Sequence, residues 1–399
     1  MACYSNYTDD SSENFPEVIR KEHSLLNTVS SSFDSDDSNY KPSRKRRNIG
    51  EQTLYSDDEN SDRKFIKRQE VSNQKYNSLF VSKIDQYNIL DKVGEGSYGK
   101  VYKAIHQTQT SMEIVALKNV RHTFSTKNVP LEEIQEIEVL IKLSHKNIVT
   151  LKKAFSDHQT NSFYLCFEFL EYDLMNLLQS GAMEFNDETN SNIMKQILEG
   201  MQYCHEMKYM HRDIKTSNIL VSTQGIVKIA DFGSAIKSDK GCSYNNLVVS
   251  LWYRSPELLL GEVMYNEAID IWSLGCVLGE LFAKEPIFPG PEETIQLDLI
   301  SSLCGTATIE SCPSFIILPF FNTRFPKQIH PRSLRTDFKY LPAHALDLMD
   351  SMLQMNPSKR ITIKSALLSP WFKNVNPDES ILNVPTRDIF DNHHDTDSE

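Results

Sequence analysis

The sequence has no run of eighteen or more apolar residues, so no membrane-spanning helix is expected. Its opening residues, MACYSNYTDD, lack a charged stretch followed by an apolar one, and no secretory signal is expected there. Its seven cysteines run from Cys3 to Cys312 without a C-x-x-C pair. An odd number at irregular spacing suggests neither a disulfide framework nor a zinc site, and a reducing cytosolic or nuclear setting follows. No internal repeat is visible, which sets aside solenoids and propellers.

The chain also lacks a broad basic surplus. Its net charge is −12. Residues 1–83 carry 13 basic and 14 acidic side chains, whereas residues 378–399 carry seven acids and one arginine. The middle is left mildly acidic, which argues against direct nucleic-acid binding by the core. What is present suits a globular protein: 40% of residues are hydrophobic and 24% charged. A length of 399 residues exceeds what one compact core usually holds.

Composition divides the chain into three parts. Residues 1–83 are dominated by Ser, Asn and Asp without apolar periodicity, and are expected to be disordered. Two basic clusters lie there, Lys41-Pro42-Ser43-Arg44-Lys45-Arg46-Arg47 and Arg63-Lys64-Phe65-Ile66-Lys67-Arg68. They read either as nuclear import signals or as solvated charge runs. Residues 84–377 carry the periodic segments, and residues 378–399 form an acidic tail expected to be disordered. Within the middle part, Tyr87–Val93, Lys100–His106 and Ile114–Val120 alternate with turns as an antiparallel meander would. Pro130 then opens a helical stretch over Leu131–Leu143, with Ile134, Ile137, Leu140 and Ile141 at helical spacing. Beyond Asp173 most periodic segments are helical. The expected architecture is α+β, a small β-rich lobe followed by a larger helical one.

Three motifs carry chemistry. The first is Gly94-Glu95-Gly96-Ser97-Tyr98-Gly99-Lys100-Val101, between two expected strands. Glycines let a backbone approach phosphate oxygens without a Cβ in the way. A dinucleotide fingerprint would need a helix next. Here Val101-Tyr102-Lys103-Ala104 follows and favours a strand. The second motif is Val115-Ala116-Leu117-Lys118. A lysine closing an apolar strand is usually a snorkelling surface residue. Its place after the glycine loop suits it instead to ATP phosphates. Such a lysine needs an anionic partner, and spacing leaves Glu132, Glu133, Glu136 and Glu138 open.

The third motif decides the reading: His211-Arg212-Asp213-Ile214-Lys215-Thr216-Ser217-Asn218, then Asp231-Phe232-Gly233. Asp213 can accept the proton of a substrate hydroxyl. Asn218 and Asp231 offer the hard oxygen ligands that Mg2+ prefers. Lys215 can neutralise charge on a transferred phosphoryl group. The order of glycine loop, lysine, glutamate, H-R-D-x-K-x-x-N and D-F-G is very specific.

This constellation resembles the protein kinases over roughly residues 84–377. The resemblance implies the bilobal protein kinase fold, with ATP between the lobes. Within the kinases, Leu251-Trp252-Tyr253-Arg254-Ser255-Pro256-Glu257, Asp270-Ile271-Trp272-Ser273-Leu274-Gly275-Cys276 and Pro286-Ile287-Phe288-Pro289-Gly290 resemble the cyclin-dependent family. The Lys215-Thr216-Ser217-Asn218 stretch and the Asp173-Leu174 dipeptide look closest to its transcription- and splicing-associated members. Residues 130–137 sit where these kinases carry a cyclin-binding signature. The match of Glu136-Ile137 selects Glu136 as the partner of Lys118, and Ile134 falls at the cyclin-facing position, with core packing as the plain alternative. An adenine and ribose shell of Val93, Val101, Ala116, Phe167, Glu168, Leu170, Asp173 and Leu220 is implied, with Phe167 as gatekeeper. So are a cyclin-like regulatory subunit, a protein substrate with Ser-Pro or Thr-Pro sites next to Val248 and Val249, and a nuclear or cytoplasmic location. Ser250 is expected to contact Asp213 and Lys215, and Glu257 to pair with Arg360.

The chain departs from the family at the activation loop. The position of the usual phosphothreonine is Asn245, and two of the three arginines that hold its phosphate are Gln135 and Ile236; Arg212 is kept. Removing the anion and two cations together keeps the site balanced. The loop is therefore expected to be ordered by neutral hydrogen bonds and a partner subunit. Ser243 or Tyr244 could serve as displaced phosphosites, and Ser97 and Tyr98 sit where family members carry inhibitory ones.

A kinase-fold scaffold that binds a partner without catalysis is the rival reading. Such proteins usually lose the counterparts of Lys118, Asp213 or Asp231, and none is lost here. A mitogen-activated-type kinase is disfavoured because residues 234–250 contain no Thr-x-Tyr pair.

Overall fold

The computed structural model describes residues 84–375 apart from 97–98, 109, 121–130, 158–161 and 240, together with Val384. The two basic clusters, the acidic tail apart from Val384, Ser97, Tyr98 and Pro130 lie outside the described residues.

Three strands rich in β-branched and aromatic side chains open the fold: β1 (Tyr87–Gly96), β2 (Gly99–Gln107) and β3 (Met112–Val120). Helix α1 (Leu131–Lys142) follows, then β4 (Leu151–Asp157) and β5 (Ser162–Glu168). The five strands form one antiparallel sheet in the order β1-β2-β3-β5-β4. Tyr87, Ala104, Val115, Leu117, Phe155, Tyr164 and Cys166 form an apolar cluster of their own on this sheet. Within it the Tyr87 ring stacks on Phe155 at 5.0 Å. β1 and β2 run further into the glycine loop than the sequence suggests, meeting at the Gly96↔Gly99 pair. Gly99 takes φ 144, a conformation that L side chains rarely adopt.

Helix α1 places Ile134, Ile137 and Leu140 in the main apolar core. Ile134 is therefore a packing residue here, the plain alternative to its cyclin-facing reading. α1 also packs against the turn Phe232–Ser234, which sets its glutamate over the cleft.

The second lobe begins with β6 (Tyr172–Asp173) and α2 (Leu174–Ser180), continues with α3 (Asp187–Glu206), and includes α4 (Ala268–Ala283), α5 (Glu293–Cys304) and α6 (Ala343–Met352). Asn186 caps α3, its side chain accepting from Thr189 N at 2.9 Å. α4 is apolar on nearly all sides and buried from Ile269 to Leu281, as a helix at the centre of a lobe must be. Four short strands frame the cleft: β7 (Tyr209–Met210), β8 (Ile219–Val221), β9 (Val227–Ile229) and β10 (Ile236–Lys237). β7 pairs with β10, and β8 pairs with both β6 and β9. These pairings bring residues 211–218 against residues 231–235. The lobe is also tied by Arg360, which meets Glu257 through two contacts of 2.6 Å.

Candidate active site

The register of the sheet assembles one wall of the cleft. Val101 lies opposite Lys118, and Ala116 opposite the buried Phe167. On the other side Asp173 pairs with Leu220. The Asp173 carboxylate caps α2, accepting from Asn176 N at 2.9 Å and Asn176 Nδ2 at 2.5 Å. Burial nevertheless pushes that carboxyl up from its ordinary range, against the lowering effect of Asn176. Glu168 accepts from Lys228 Nζ at 2.8 Å and from Thr150 N at 2.7 Å, and Leu170 is buried. In the glycine loop Val93 is exposed and Glu95 meets Lys92 at 3.2 Å. A Cβ on Gly94 would meet nothing nearer than Val101 Cβ at 3.8 Å. Packing within the chain therefore does not demand glycine there, and the free space suits a close phosphate. Lys100 leads β2 away from the loop, paired with Glu95 and Asn119.

Lys118 reaches from β3 to Glu136 on α1. Nζ lies 2.7 Å from Oε2 of Glu136 and 3.8 Å from Oδ1 of Asp231. The side chains of Lys118 and Glu136 are only 13% and 2% exposed, so water screens the pair little. Glu136, one of the four candidate glutamates, is thus paired with Lys118. The carboxylate of Asp231 is 29% exposed and open to the cleft.

Asp213 is held on both oxygens. Oδ2 accepts from Lys215 Nζ at 2.7 Å and from Asn218 Nδ2 at 3.1 Å. Oδ1 accepts from the amide and the hydroxyl of Ser250 at 3.0 and 2.8 Å. Lys215 Nζ also donates to Ser250 Oγ at 3.0 Å. Burial acts to raise the Asp213 carboxyl, but the Lys215 charge and the hydrogen bonds from Lys215 and Ser250 outweigh it, and the net direction is down. Asp213 thus stays an ionised acceptor. Asn218 N and O are also engaged, the carbonyl accepting from Ala230 N at 2.9 Å, which locks Asn218 beside Asp231.

Three residues of this region occupy the left-handed backbone region despite having a Cβ: Arg212 at φ 66, Asp231 at φ 61 and Val249 at φ 66. Each costs on the order of 1–3 kcal/mol and persists only where the surroundings hold it. Asp270 on α4 supplies much of that hold. Its buried carboxylate accepts from the amides of His211 and Arg212 at 3.0 and 2.9 Å and lies 2.9 Å from His205 Nε2. His211 Nδ1 accepts from Asp213 N at 3.2 Å, so Nε2 is the nitrogen that donates to Ala230 O at 3.1 Å. Its ring meets Phe232 edge-on at 4.7 Å.

Sequence reasoning gave no role to Asp270, Tyr265 or Glu280. Asp270 lay within a quoted family motif, which was the available signal. Glu280 on α4 is buried and accepts from Thr216 Oγ1 at 2.9 Å and Tyr253 OH at 2.7 Å. It thereby ties the stretch after Asp213 to the end of the activation segment. The arginine lost at Gln135 is replaced by a neutral contact, Gln135 Nε2 donating to the Ala235 carbonyl.

Comparisons with known proteins identify the family. A family model described as "Protein kinase domain" matches residues 87–372. Cyclin-dependent kinase 12 of Drosophila melanogaster is 47% identical over 308 residues, covering 74% of this chain and 26% of that protein. Cyclin-dependent kinase 12 of Caenorhabditis elegans is 43% identical over 309 residues, covering 75% and 42%. The chain thus spans less than half the length of these curated relatives. The solved yeast RNA Pol II CTD kinase CTDK-1 complex contains a chain that matches with a TM-score of 0.68 at 35% identity, covering 75% of this chain and 96% of that one. The chain belongs to the protein kinase family, and the two curated relatives just described carry the name of cyclin-dependent kinases.

Proposed function

We propose that this chain transfers the γ-phosphate of ATP to serine or threonine of a protein substrate, at sites followed by proline. The observation that carries this reading is the convergence of Lys118, Glu136 and Asp231 on one side of the cleft with Asp213, Lys215 and Asn218 on the other. Family membership implies the use of ATP and magnesium.

Asn218 and Asp231 fit a magnesium site. The side-chain Nδ2 of Asn218 is committed to Asp213, which leaves its Oδ1 as the ligating atom beside the Asp231 carboxylate. So small a protein donor set suits an ion that keeps waters and takes phosphate oxygens. Bound there, magnesium would neutralise charge on the phosphates. Lys118, oriented by Glu136, adds a cation toward the same phosphates. The glycine loop covers them, and Val93, Val101, Ala116, Phe167, Leu170 and Leu220 offer apolar surface to adenine. Asp213 accepts the proton of the substrate hydroxyl as its oxygen bonds to the γ-phosphorus. The bond from that phosphorus to the bridging oxygen breaks, and ADP leaves. Lys215 offsets the charge on the moving phosphoryl group.

Proline preference is supported by Val249. Its left-handed backbone gives its carbonyl to Arg254, which donates from Nε at 3.1 Å and from Nη2 at 2.9 Å. A substrate residue beside it finds that acceptor taken. Any residue with an N–H would leave a donor unpaired at a cost of about 1–3 kcal/mol, and proline has none.

The relatives named as cyclin-dependent kinases, and the CTDK-1 chain solved as part of a complex, support a cyclin-like regulatory subunit. The name of the solved neighbour, an RNA Pol II CTD kinase, supports a nuclear role in transcription. Residues 84–377 are taken as the catalytic domain, with residues 1–83 and 378–399 as flanking tails. The test is phosphate transfer to a Ser-Pro peptide by the complex with its regulatory subunit. Wild type transfers phosphate, and Asp213→Asn is slower by about 10²–10⁴-fold. Equal rates in the two, or no transfer by either, would support the scaffold reading instead.

A further inference from the structure

Arg212 is a buried guanidinium whose partners are neutral. Its Nε donates to the Ser234 carbonyl at 2.7 Å, and its Nη1 donates to the Tyr265 hydroxyl at 3.0 Å. Among the described residues it forms no ion pair. The Tyr265 hydroxyl in turn donates to the Asn245 carbonyl at 2.5 Å. One phenol oxygen therefore joins the loop that carries Asp213 to the activation segment. Only a group that both accepts and donates can sit there, and a hydroxyl does both. Burial raises the Tyr265 phenol from its ordinary range, so it keeps its proton at any physiological pH.

Neutral contacts also fasten Tyr244 and Asn245. The Tyr265 ring lies 5.3 Å from that of Tyr244. The Tyr244 amide donates to the Val263 carbonyl at 2.7 Å. Its hydroxyl accepts from Asp239 N at 2.7 Å and donates to Asp239 O at 3.0 Å. Asn245 Oδ1 accepts from Leu247 N at 2.9 Å, and Ser250 closes the segment onto Asp213. Residues 236–250 contain four hydroxyls, Ser238, Ser243, Tyr244 and Ser250. A phosphate on Tyr244 or Ser250 would break the contacts just described and, at Ser250, set an anion against Asp213.

We propose that Tyr265 is a positioning residue that holds Arg212 and the activation segment where a covalent phosphate otherwise would, so that catalysis runs without phosphorylation of residues 236–250. The proposal rests on the kinase reading above, since it names how that same site is kept in order.

The experiment compares the full chain, in complex with its own regulatory subunit, before and after phosphatase treatment, with mass spectrometry over residues 236–250. The unphosphorylated wild type keeps its rate, and so does the Ser238→Ala, Ser243→Ala double variant. Tyr265→Phe keeps the ring and loses only the hydroxyl. Its kcat falls about ten- to hundredfold, the share of one hydrogen bond to a charged group, while KM for ATP is unchanged. Amide exchange at Leu247 and Ser250 rises in the same variant. The proposal is overturned if phosphatase abolishes activity and a phosphate within residues 236–250 restores it. It is also overturned if Tyr265→Phe matches wild type in rate and in exchange. A wild-type complex that transfers no phosphate would sink the kinase reading alone, and exchange at Leu247 and Ser250 would still decide the role of Tyr265.

Discussion

Lys215 Nζ lies 2.7 Å from Oδ2 of Asp213, and with the hydrogen bonds from Ser250 this contact opposes the burial that would otherwise raise the carboxyl. Because the folded-state affinity for a proton is lowered, Asp213 is ionised throughout neutral pH. Its contribution to stability is present above the ordinary aspartate range and is lost as pH falls through the lowered value. Wild-type kcat should thus show no acid limb from Asp213 between about pH 5 and 8, the range where such folds are most stable. In Lys215→Met burial acts unopposed by that charge. A pH–rate profile of this variant is expected to show, besides a lower plateau, an acid limb moved upward. A limb at the wild-type position would mean that Lys215 does not set the ionisation of Asp213.

The Lys118–Glu136 pair bridges β3 and α1, and its loss should be felt in turnover more than in folding. In Glu136→Ala, Lys118 still has the Asp231 carboxylate at 3.8 Å and is expected to swing toward it. Misplacing a catalytic cation by about 1 Å costs on the order of 10²-fold in rate. Steady-state kinetics should show kcat/KM for ATP reduced by that order, with the melting temperature lowered by only a few degrees. Undiminished kcat/KM would remove Glu136 from the functional set.

How far the sequence foretold this site depends on the range of each contact. The hairpin around the glycines and the run from His211 to Asn218 were legible because their spacing is local and their chemistry fixes the residue types. Residue order alone also suggested a β-rich lobe before a helical one. The sequence by itself left four glutamates open for Lys118, and only family resemblance selected Glu136. Nothing local could show that Gln135 would meet Ala235 one hundred positions away, or that Tyr265 would bridge Arg212 and Asn245. Such partners are set by how α1, α4 and the activation segment pack, which no periodicity records. Ile134 has the same origin. Its helical spacing marks it as apolar and inward-facing, but the spacing does not say whether the chain itself or a partner covers it.

Arg360 and Glu257 test the second lobe rather than the chemistry. Their side chains are 0% and 3% exposed, and the guanidinium also lies 5.0 Å from the Trp272 ring. Arg360→Ala leaves a buried carboxylate unpaired, which costs about 3–5 kcal/mol. For a domain of this size the melting temperature should fall by about ten degrees. Arg360→Lys should recover little, because an ammonium cannot make the paired contacts. Replacing both partners, as Glu257→Gln with Arg360→Met, should be milder than Arg360→Ala alone. Thermal denaturation of the three variants checks the order, and a shift under two degrees for Arg360→Ala would deny the pair its structural weight.

Arg254 offers the sharpest test of substrate choice. Its two hydrogen bonds hold the Val249 carbonyl while Val249 stays in the left-handed region, and Glu293 lies 3.6 Å from its Nη1. In Arg254→Ala the carbonyl is released, Val249 can relax toward an ordinary conformation, and an acceptor becomes free for a substrate N–H. Wild type should prefer a Ser-Pro over a Ser-Ala peptide by about ten- to hundredfold in kcat/KM, the cost of one unpaired donor. In the variant that ratio should fall toward unity, chiefly through gain of activity on the Ser-Ala peptide, whose N–H finds the freed acceptor. If Arg254→Ala slowed both peptides equally, the ratio would stand. Proline preference would then belong to the shape of the pocket near Val248 and not to the engaged carbonyl.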